Sequence, residues 1–302
     1  MINSPILIIC YNRPTEFFKL FKKIEKLKKR KIFIFQDGKK NQDIEWEKLN
    51  FFLKENKDKL NINIKFSKKN LGCKNGVIFA INWFFKHNPQ GIILEDDCLP
   101  SSSFFKYCDK LLTKYKNNKK IKVISGYTFM NDYKKSFSYT FTKHIEVWGW
   151  ATWRNVWKKY DPKMTSWKKK GFEVLKKRFN ENSYLINQYK NMFELTFQKK
   201  IDTWDHQFVY YIWKTNGLAI TPKVNLVHNI GFNIRATHTK IKNNFLQKKS
   251  NLIKFPLKHP KKIKEDKIIS TKMDKVITEK YLIKQKKNKN YINKILEKFF
   301  LN

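Results

Sequence analysis

Short apolar runs, separated by longer stretches of helical spacing, fill the first hundred residues. Pro5–Cys10, Lys31–Gln36, Ile62–Phe66 and Gly91–Leu94 are too short for helices and rich in Ile and Phe, so they read as buried strands. Between the first two, Phe17, Leu20, Phe21, Ile24 and Leu27 recur at helical spacing within Thr15–Lys29. The same reading expects a polar helix over Glu45–Glu55 and a more apolar one over Asn75–Phe85. Strand and helix in alternation predict a doubly wound α/β sheet, and ligands of such sheets bind outside the carboxyl ends of the strands.

The second half is less regular. Lys122–Tyr127 reads as another strand, and Trp148-Gly-Trp-Ala-Thr-Trp153 is an aromatic patch leading into a helix toward Trp157. The Lys-rich stretch Ser166–Lys200 is expected to be helical and peripheral. Asp202-Thr-Trp-Asp-His-Gln-Phe208 opens a helix with an apolar face of Phe208, Tyr211 and Ile212, and short strands at Leu218–Thr221 and Val224–Val227 follow. Beyond Thr239 there are nineteen Lys against five Asp plus Glu, and Tyr291, Ile292, Ile295, Leu296, Phe299 and Phe300 form an apolar stripe on a basic terminal helix. That shift divides the chain into a main α/β domain over 1–240 and a Lys-rich extension over 241–302. The terminal helix docks on the body, on a partner or on a membrane surface.

The strand ends carry the candidate chemistry. Tyr11-Asn12-Arg13 ends the first strand, Asp37-Gly38 the second, a loop with Gly72, Lys74 and Gly76 follows the third, and Glu95-Asp96-Asp97 ends the fourth. Each cluster alone suits an ordinary turn, but the topology gathers all four on one edge. Alternation along an extended chain puts Glu95 and Asp97 on one face and Asp96 on the other. Three carboxylates buried there need a cation or hydrogen-bond donors, and hard oxygen ligands suit Mg²⁺ or Mn²⁺. A solvated turn or a helix cap is the plainer alternative. Asp205 is likewise a helix cap or, facing a substrate hydroxyl, a general base. Trp148, Gly149 and Trp150 are core or the wall of a sugar-stacking acceptor pocket; His238 is a metal or phosphate contact or a loop cap.

Charge and composition narrow the classes. Apolar residues make up 41% of the chain and aromatics 16%, enough for a folded core, while the net charge of +40 invites a nucleic-acid reading. The excess is Lys spread along the chain, and only 5 of the 65 cations are Arg, the residue that bidentate phosphate and base readout prefers. No specific nucleic-acid partner is therefore expected, although an anionic membrane surface would attract such a chain peripherally. No run approaches a membrane span or a secretory signal, and Cys10, Cys73, Cys98 and Cys108 lack metal-binding spacing. The expected location is cytoplasmic, extending to the inner face of the cytoplasmic membrane.

Taken together, the residues resemble a GT-A glycosyltransferase of the N-acetylglucosaminyltransferase I type, as a bacterial relative, over roughly Pro5 to Thr239. The resemblance rests on Ile-Leu-Ile-Ile-Cys-Tyr-Asn-Arg, Phe-Gln-Asp-Gly, Ile-Leu-Glu-Asp-Asp followed by Phe-Phe-x-Tyr, Trp-Gly-Trp, and Thr-Trp-Asp before a helix. It implies a Rossmann-like mixed sheet flanked by helices, with a basic helical tail outside it. It implies a metal on Asp97, donor sugar and ribose contacts from Glu95 and Asp96, and a uracil clamp of Arg13 and Asp37. Asp205 would be the base, with Trp204 before it beside the donor sugar. Where the family has a phosphate-contacting His this chain has Lys74, and where it has Asp-Arg this chain has Asn12-Arg13.

The implied activity is an inverting, Mn²⁺- or Mg²⁺-dependent transfer of a hexosyl or N-acetylhexosaminyl group. The donor would be a nucleoside diphosphate sugar of the UDP class and the acceptor a hydroxyl of a glycan or lipid-linked glycan, in surface polysaccharide or lipooligosaccharide synthesis. Two rivals remain. A nucleotidyltransferase also pairs an α/β domain with acidic ligands, but should carry a Gly-rich basic loop after its first strand, where Tyr11-Asn12-Arg13-Pro14 stands. A non-catalytic basic binding protein predicts salt-sensitive binding indifferent to Asp97.

Overall fold

The computed structural model describes residues 3–27, 30–57, 62–130, 136–231 and 248–277. The first half runs β1 (Ile6–Cys10), α1 (Pro14–Ile24), β2 (Ile32–Gln36), α2 (Ile44–Glu55), β3 (Ile62–Phe66), α3 (Gly72–His87), β4 (Gln90–Glu95), β5 (Cys98–Pro100) and α4 (Ser102–Tyr115). The second half adds β6 (Ile121–Ser125), β7 (Tyr139–Thr142), β8 (Trp150–Trp153), α5 (Arg154–Trp157), α6 (Trp167–Phe179), α7 (Ser183–Phe197), α8 (Asp205–Lys214), β9 (Leu218–Pro222) and β10 (Val227–Asn229). Eight strands form one sheet in the order β3-β2-β1-β4-β8-β6-β9-β7, and β10 pairs with β5 beside it.

The sheet is mixed. Strands β1 to β4 pair in parallel, as the alternation predicts, whereas β8 lies antiparallel between β4 and β6 and β7 runs antiparallel to β9 at the edge. Every residue of β1 and β2 is buried, because helices cover both faces, while the edge strand β3 alternates half-buried and exposed. Pro14 starts α1, where its missing N–H costs nothing, and Phe17, Leu20, Phe21 and Ile24 face the sheet. Gly91 in β4 lets the Phe84 ring of α3 sit on the strand, since a Cβ there would fall 2.2 Å from Phe84 Cζ.

The second half departs from its local pattern. The aromatic patch Trp148–Trp153 contains a strand, β8, and leads as expected into a helix toward Trp157, the four residues of α5. Strand β7 adds to the expected elements: Tyr139 and Phe141 alternate with Thr140 and Thr142, and all four residues are buried. The strand expected at Val224–Val227 begins at Val227 and pairs with the three residues of β5. Helices α6 and α7 are not peripheral: Trp167, Phe179, Tyr189 and Phe193 pack edge-to-face or stacked among themselves and onto Tyr210 and Trp213 of α8.

Residues 248–277 lie along the body. Ile253, Leu257, Ile269 and Met273 are buried, and Asp274 in the helix at 267–277 pairs with Lys143 at 2.8 Å. Among the described residues no helix is long and apolar enough to cross a membrane. His238 and the stripe from Tyr291 to Phe300 fall outside the described residues.

Candidate active site at the carboxyl edge of the parallel strands

The parallel register of β1 with β4 brings two strand ends together. Ile9 pairs with Glu95, and the chain continues in register, with Asp96 N–H donating to Ile9 O at 3.0 Å. Arg13, at the cap of α1 just beyond β1, therefore reaches the acidic triplet. Its Nη1 lies 2.6 Å from Asp97 Oδ2 and 3.6 Å from Asp96 Oδ1. Asp96 also accepts the backbone N–H of Tyr11 at 3.4 Å.

Three carboxylates thus face one guanidinium, with Asp96 6% and Asp97 8% exposed. The imbalance shows in their proton affinity. Desolvation, then the charges of Asp97 and Asp96, push Glu95 up to about 8 against the pull of Arg13. Desolvation pushes Asp96 up to about 7, with Arg13 opposing and Asp97 adding to the rise. Asp97 is raised by desolvation too, although Arg13 and the Cys98 thiol stabilise its charged form. A buried excess of negative charge of this kind is what a cationic ligand relieves.

The segment after β10 closes over the same point. Ile230 N–H donates to Asp97 O at 2.9 Å, and Gly231 passes so close that a Cβ there would lie 2.0 Å from Asp97 Oδ2. Only the absence of a side chain leaves the carboxylate in place. The sequence marks this glycine only as part of Asn-Ile-Gly; the contact comes from the antiparallel pairing of β10 with β5.

Asp37, at the end of β2, has a different surrounding from Arg13. Its carboxylate accepts the backbone N–H groups of Gly38 at 2.8 Å, Leu71 at 3.0 Å and Gly72 at 3.1 Å, and it is 7% exposed. It caps the start of α3 from a neighbouring strand end, the role a local Ser or Asp usually fills. Desolvation still raises its pKa, with the three N–H groups opposing. By fixing the first turn of α3, Asp37 sets where Cys73 and Lys74 stand.

Cys73 reaches the site from the α3 side, whereas Lys74 faces Asp202 and Lys199. Desolvation, then the charges of Glu95, Asp205 and Asp202, push the Cys73 thiol up to about 12, which makes it a neutral neighbour and not a nucleophile. Desolvation lowers the Lys74 ammonium while Asp202 favours its charge. Cys73 and Asp202 carry no sequence signal of their own; only the approach of α3 to the segment before α8 discloses them.

Asp205 opens α8. Its Oδ1 accepts the Thr203 hydroxyl and the His206 backbone N–H, the latter at 2.9 Å, and among the described residues Oδ2 is left open. It lies near enough to Glu95 and Cys73 to raise the pKa of both, so α8 delivers a carboxylate to the edge where β4 ends and α3 begins. Behind it, Trp204 is 4% exposed and stacks on Trp150 at 5.6 Å. Trp150 is 1% exposed and also touches Phe208, so its ring is packed into the core. Gly149 has φ of +69°, and Trp148 is half-buried, edge-on to Tyr127 at 4.7 Å. The structure therefore brings Arg13, Cys73, Glu95, Asp96, Asp97 and Asp205 together, and places Trp150 behind Trp204 as packing, with Trp148 half-buried against Tyr127.

Among the described residues no group of three or more His, Cys, Asp or Glu side chains is arranged to hold a metal ion. A hard cation at this edge would find the carboxylate of Asp97, the residue turned to the guanidinium, and would need its other oxygens from water and a ligand's phosphates. Mg²⁺ and Mn²⁺ bind in that way, so the donor set fits them with a diphosphate as co-ligand.

No protein-family model and no curated protein matches the chain. Partial structural likenesses include TarS 1-349 of S. aureus, at TM-score 0.36 and 11% identity over 51% of this chain. HddC from Yersinia pseudotuberculosis gives TM-score 0.32 and 9% identity over 50% of this chain and 77% of its own. The glycosyltransferase GlyE of Streptococcus pneumoniae TIGR4 gives 0.29 and 9% over 60% of this chain. The match spans 48% of the TarS chain and 40% of the GlyE chain.

Proposed function

We propose that the protein is a glycosyltransferase that moves a sugar from a nucleoside diphosphate donor, of the UDP class, to a glycan hydroxyl with inversion. One observation carries the reading. A cationic side chain, an acidic triplet with Asp96 and Asp97 buried, and an open carboxylate on a separate helix, Arg13, Glu95 to Asp97 and Asp205, meet at the carboxyl edge of the parallel strands.

In this reading Asp97 would hold Mn²⁺ or Mg²⁺, which when bound supplies positive charge to the leaving diphosphate. Arg13 and Lys74 add protein-borne charge to the same phosphates, and Glu95 and Asp96 contact the donor's sugar and ribose. Asp205 Oδ2 takes the proton of the acceptor hydroxyl. The hydroxyl oxygen then bonds to the anomeric carbon as the carbon–oxygen bond to the diphosphate breaks on the opposite face. The bonds from Thr203 and His206 to Oδ1 keep Asp205 turned for that step. Asp37 enters as the residue that fixes α3, and Trp204 and Trp150 as the wall that holds Asp205 in position.

The test is a panel of nucleotide sugars with Mn²⁺, read as hydrolysis and transfer. Asp97→Ala should abolish metal-dependent turnover and weaken donor binding at least tenfold. Asp205→Asn should cut kcat about 10²- to 10⁴-fold, the usual worth of a general base, with donor affinity within about twofold. Full transfer by Asp205→Asn would remove the base from this scheme, and donor binding indifferent to Asp97→Ala would remove the reading altogether.

A further inference from the structure

A groove of about 870 Å³ runs along the outer face of α4, between that helix and the strap 253–259. It belongs to none of the machinery above. The strap is held at one end by Ile253 N–H donating to Ser103 Oγ at 3.0 Å. At the other end His259 Nδ1 shares a hydrogen bond of 2.8 Å with Tyr139. One wall is Lys106, Lys110 and Lys114, each one helical turn from the next and all exposed; the other is Phe255, Pro256 and Leu257.

The charges in this groove are unbalanced by design of the helix. Lysines at i, i+4 and i+8 stand about 6 Å apart along the axis and repel one another. None has a carboxylate partner among the described residues, although the Lys106 ammonium lies 4.5 Å over the Phe255 ring. Asp109, the acid on the groove wall, is 3% exposed and turned inward, where it binds Arg30 and accepts the Ser4 N–H at 2.9 Å. A row of cations without carboxylate partners among the described residues, opposite a mostly apolar wall in a concavity of ligand size, suits an extended molecule with negative groups and sugar-ring faces. A flat bilayer surface does not enter such a groove.

We infer that the α4 groove binds the anionic part of an oligosaccharide acceptor, one that carries phosphate, carboxylate or sulfate groups along its chain. The word acceptor rests on the transferase reading above. The position agrees with it, because α4 begins directly after β5, which follows Asp97, and Lys106 lies about 6 Å along the helix from its start. From there the groove runs toward the amino edge of the sheet, where Asp109 accepts the Ser4 N–H ahead of β1.

The experiment uses the full chain and a labelled, sulfated hexasaccharide at 150 mM salt, roughly the ionic strength at which long-range attraction is screened beyond about 8 Å. Lys106→Gln/Lys110→Gln/Lys114→Gln is compared with Lys169→Gln/Lys170→Gln/Lys177→Gln on α6, which removes the same charge elsewhere. The groove triple should weaken binding at least tenfold and the α6 triple less than twofold, with neutral maltohexaose bound at least tenfold more weakly than the sulfated chain. Equal weakening by both triples would show attraction by overall charge and overturn the inference. So would selective loss of binding to phosphatidylglycerol vesicles with hexasaccharide binding unchanged. Donor hydrolysis by the groove triple should stay within twofold of the unaltered protein. Selective groove binding in a protein that turns over no nucleotide sugar would sink the transferase reading and leave the binding site standing.

Discussion

Replacing Asp37 separates a structural cap from a nucleotide contact. Its carboxylate accepts three backbone N–H groups, from Gly38, Leu71 and Gly72, at 2.8 to 3.1 Å. Asp37→Ala orphans all three. At roughly 1 kcal/mol for each donor left without its acceptor, the loss comes to about 3 kcal/mol. For a domain of this size each kcal/mol shifts the midpoint by roughly 2 to 4 °C, so melting should fall by roughly 6 to 12 °C. Asp37→Asn keeps one acceptor oxygen and removes the buried charge whose desolvation raises the pKa of this site. It should therefore cost about half as much as Asp37→Ala. Urea unfolding followed by tryptophan fluorescence and circular dichroism measures both. A loss below about 1 kcal/mol for Asp37→Ala would refute the capping role. A changed nucleotide preference in Asp37→Asn at unchanged stability would instead make Asp37 a reader of the base.

Two further outcomes follow from buried charge elsewhere. The folded-state pKa values of Glu95 and Asp96, about 8 and about 7, lie above those of the unfolded chain, so the folded protein holds more protons between the ordinary carboxylate range and about pH 8. Without divalent cation or donor, the contribution of these groups to stability should therefore be greatest below about pH 4 and decline from there as pH rises. It should fall steadily as pH rises to about 8, and Mn²⁺ with a nucleoside diphosphate should flatten that decline in a thermal-shift series. A rise in apo stability over that window would contradict the charge excess at the triplet. Separately, Arg30 and Asp109 form a pair 7% and 3% exposed, and Asp109→Ala leaves the guanidinium buried without its carboxylate. The expected loss is about 3 to 5 kcal/mol, measured by denaturant unfolding, and an effect within about 0.5 kcal/mol would mean that water reaches Arg30.

How much of this was legible in the chain differs between its halves. Strands β1 to β4 and helices α1 to α3 follow from local periodicity, because each buries one face or both faces against immediate neighbours in sequence. The strand-end list of Arg13, Asp37, Lys74 and Glu95 to Asp97 follows from the same topology. Strand β8 was not legible, since Trp-Ala-Thr-Trp has no alternation and its partners, β4 and β6, are remote in sequence, whereas β7 does alternate, Tyr139 and Phe141 with Thr140 and Thr142. Trp150 illustrates the limit: an aromatic residue reads equally as a sugar platform or as core, and only contact with Trp204 and Phe208 distinguishes the two.

The sequence by itself determined that carboxylates, an arginine and a lysine stand at the ends of parallel strands, and that a carboxylate opens a late helix. That much depends only on the order and period of apolar residues. Tertiary structure decided what each charge faces. It turned Arg13 onto Asp97, committed Asp37 to the first turn of α3, left one oxygen of Asp205 open, and laid the strap 253–259 along the lysines of α4. Those assignments turn on distances of a few ångströms between segments far apart in the chain, and on how much water each pairing excludes, which no local pattern encodes.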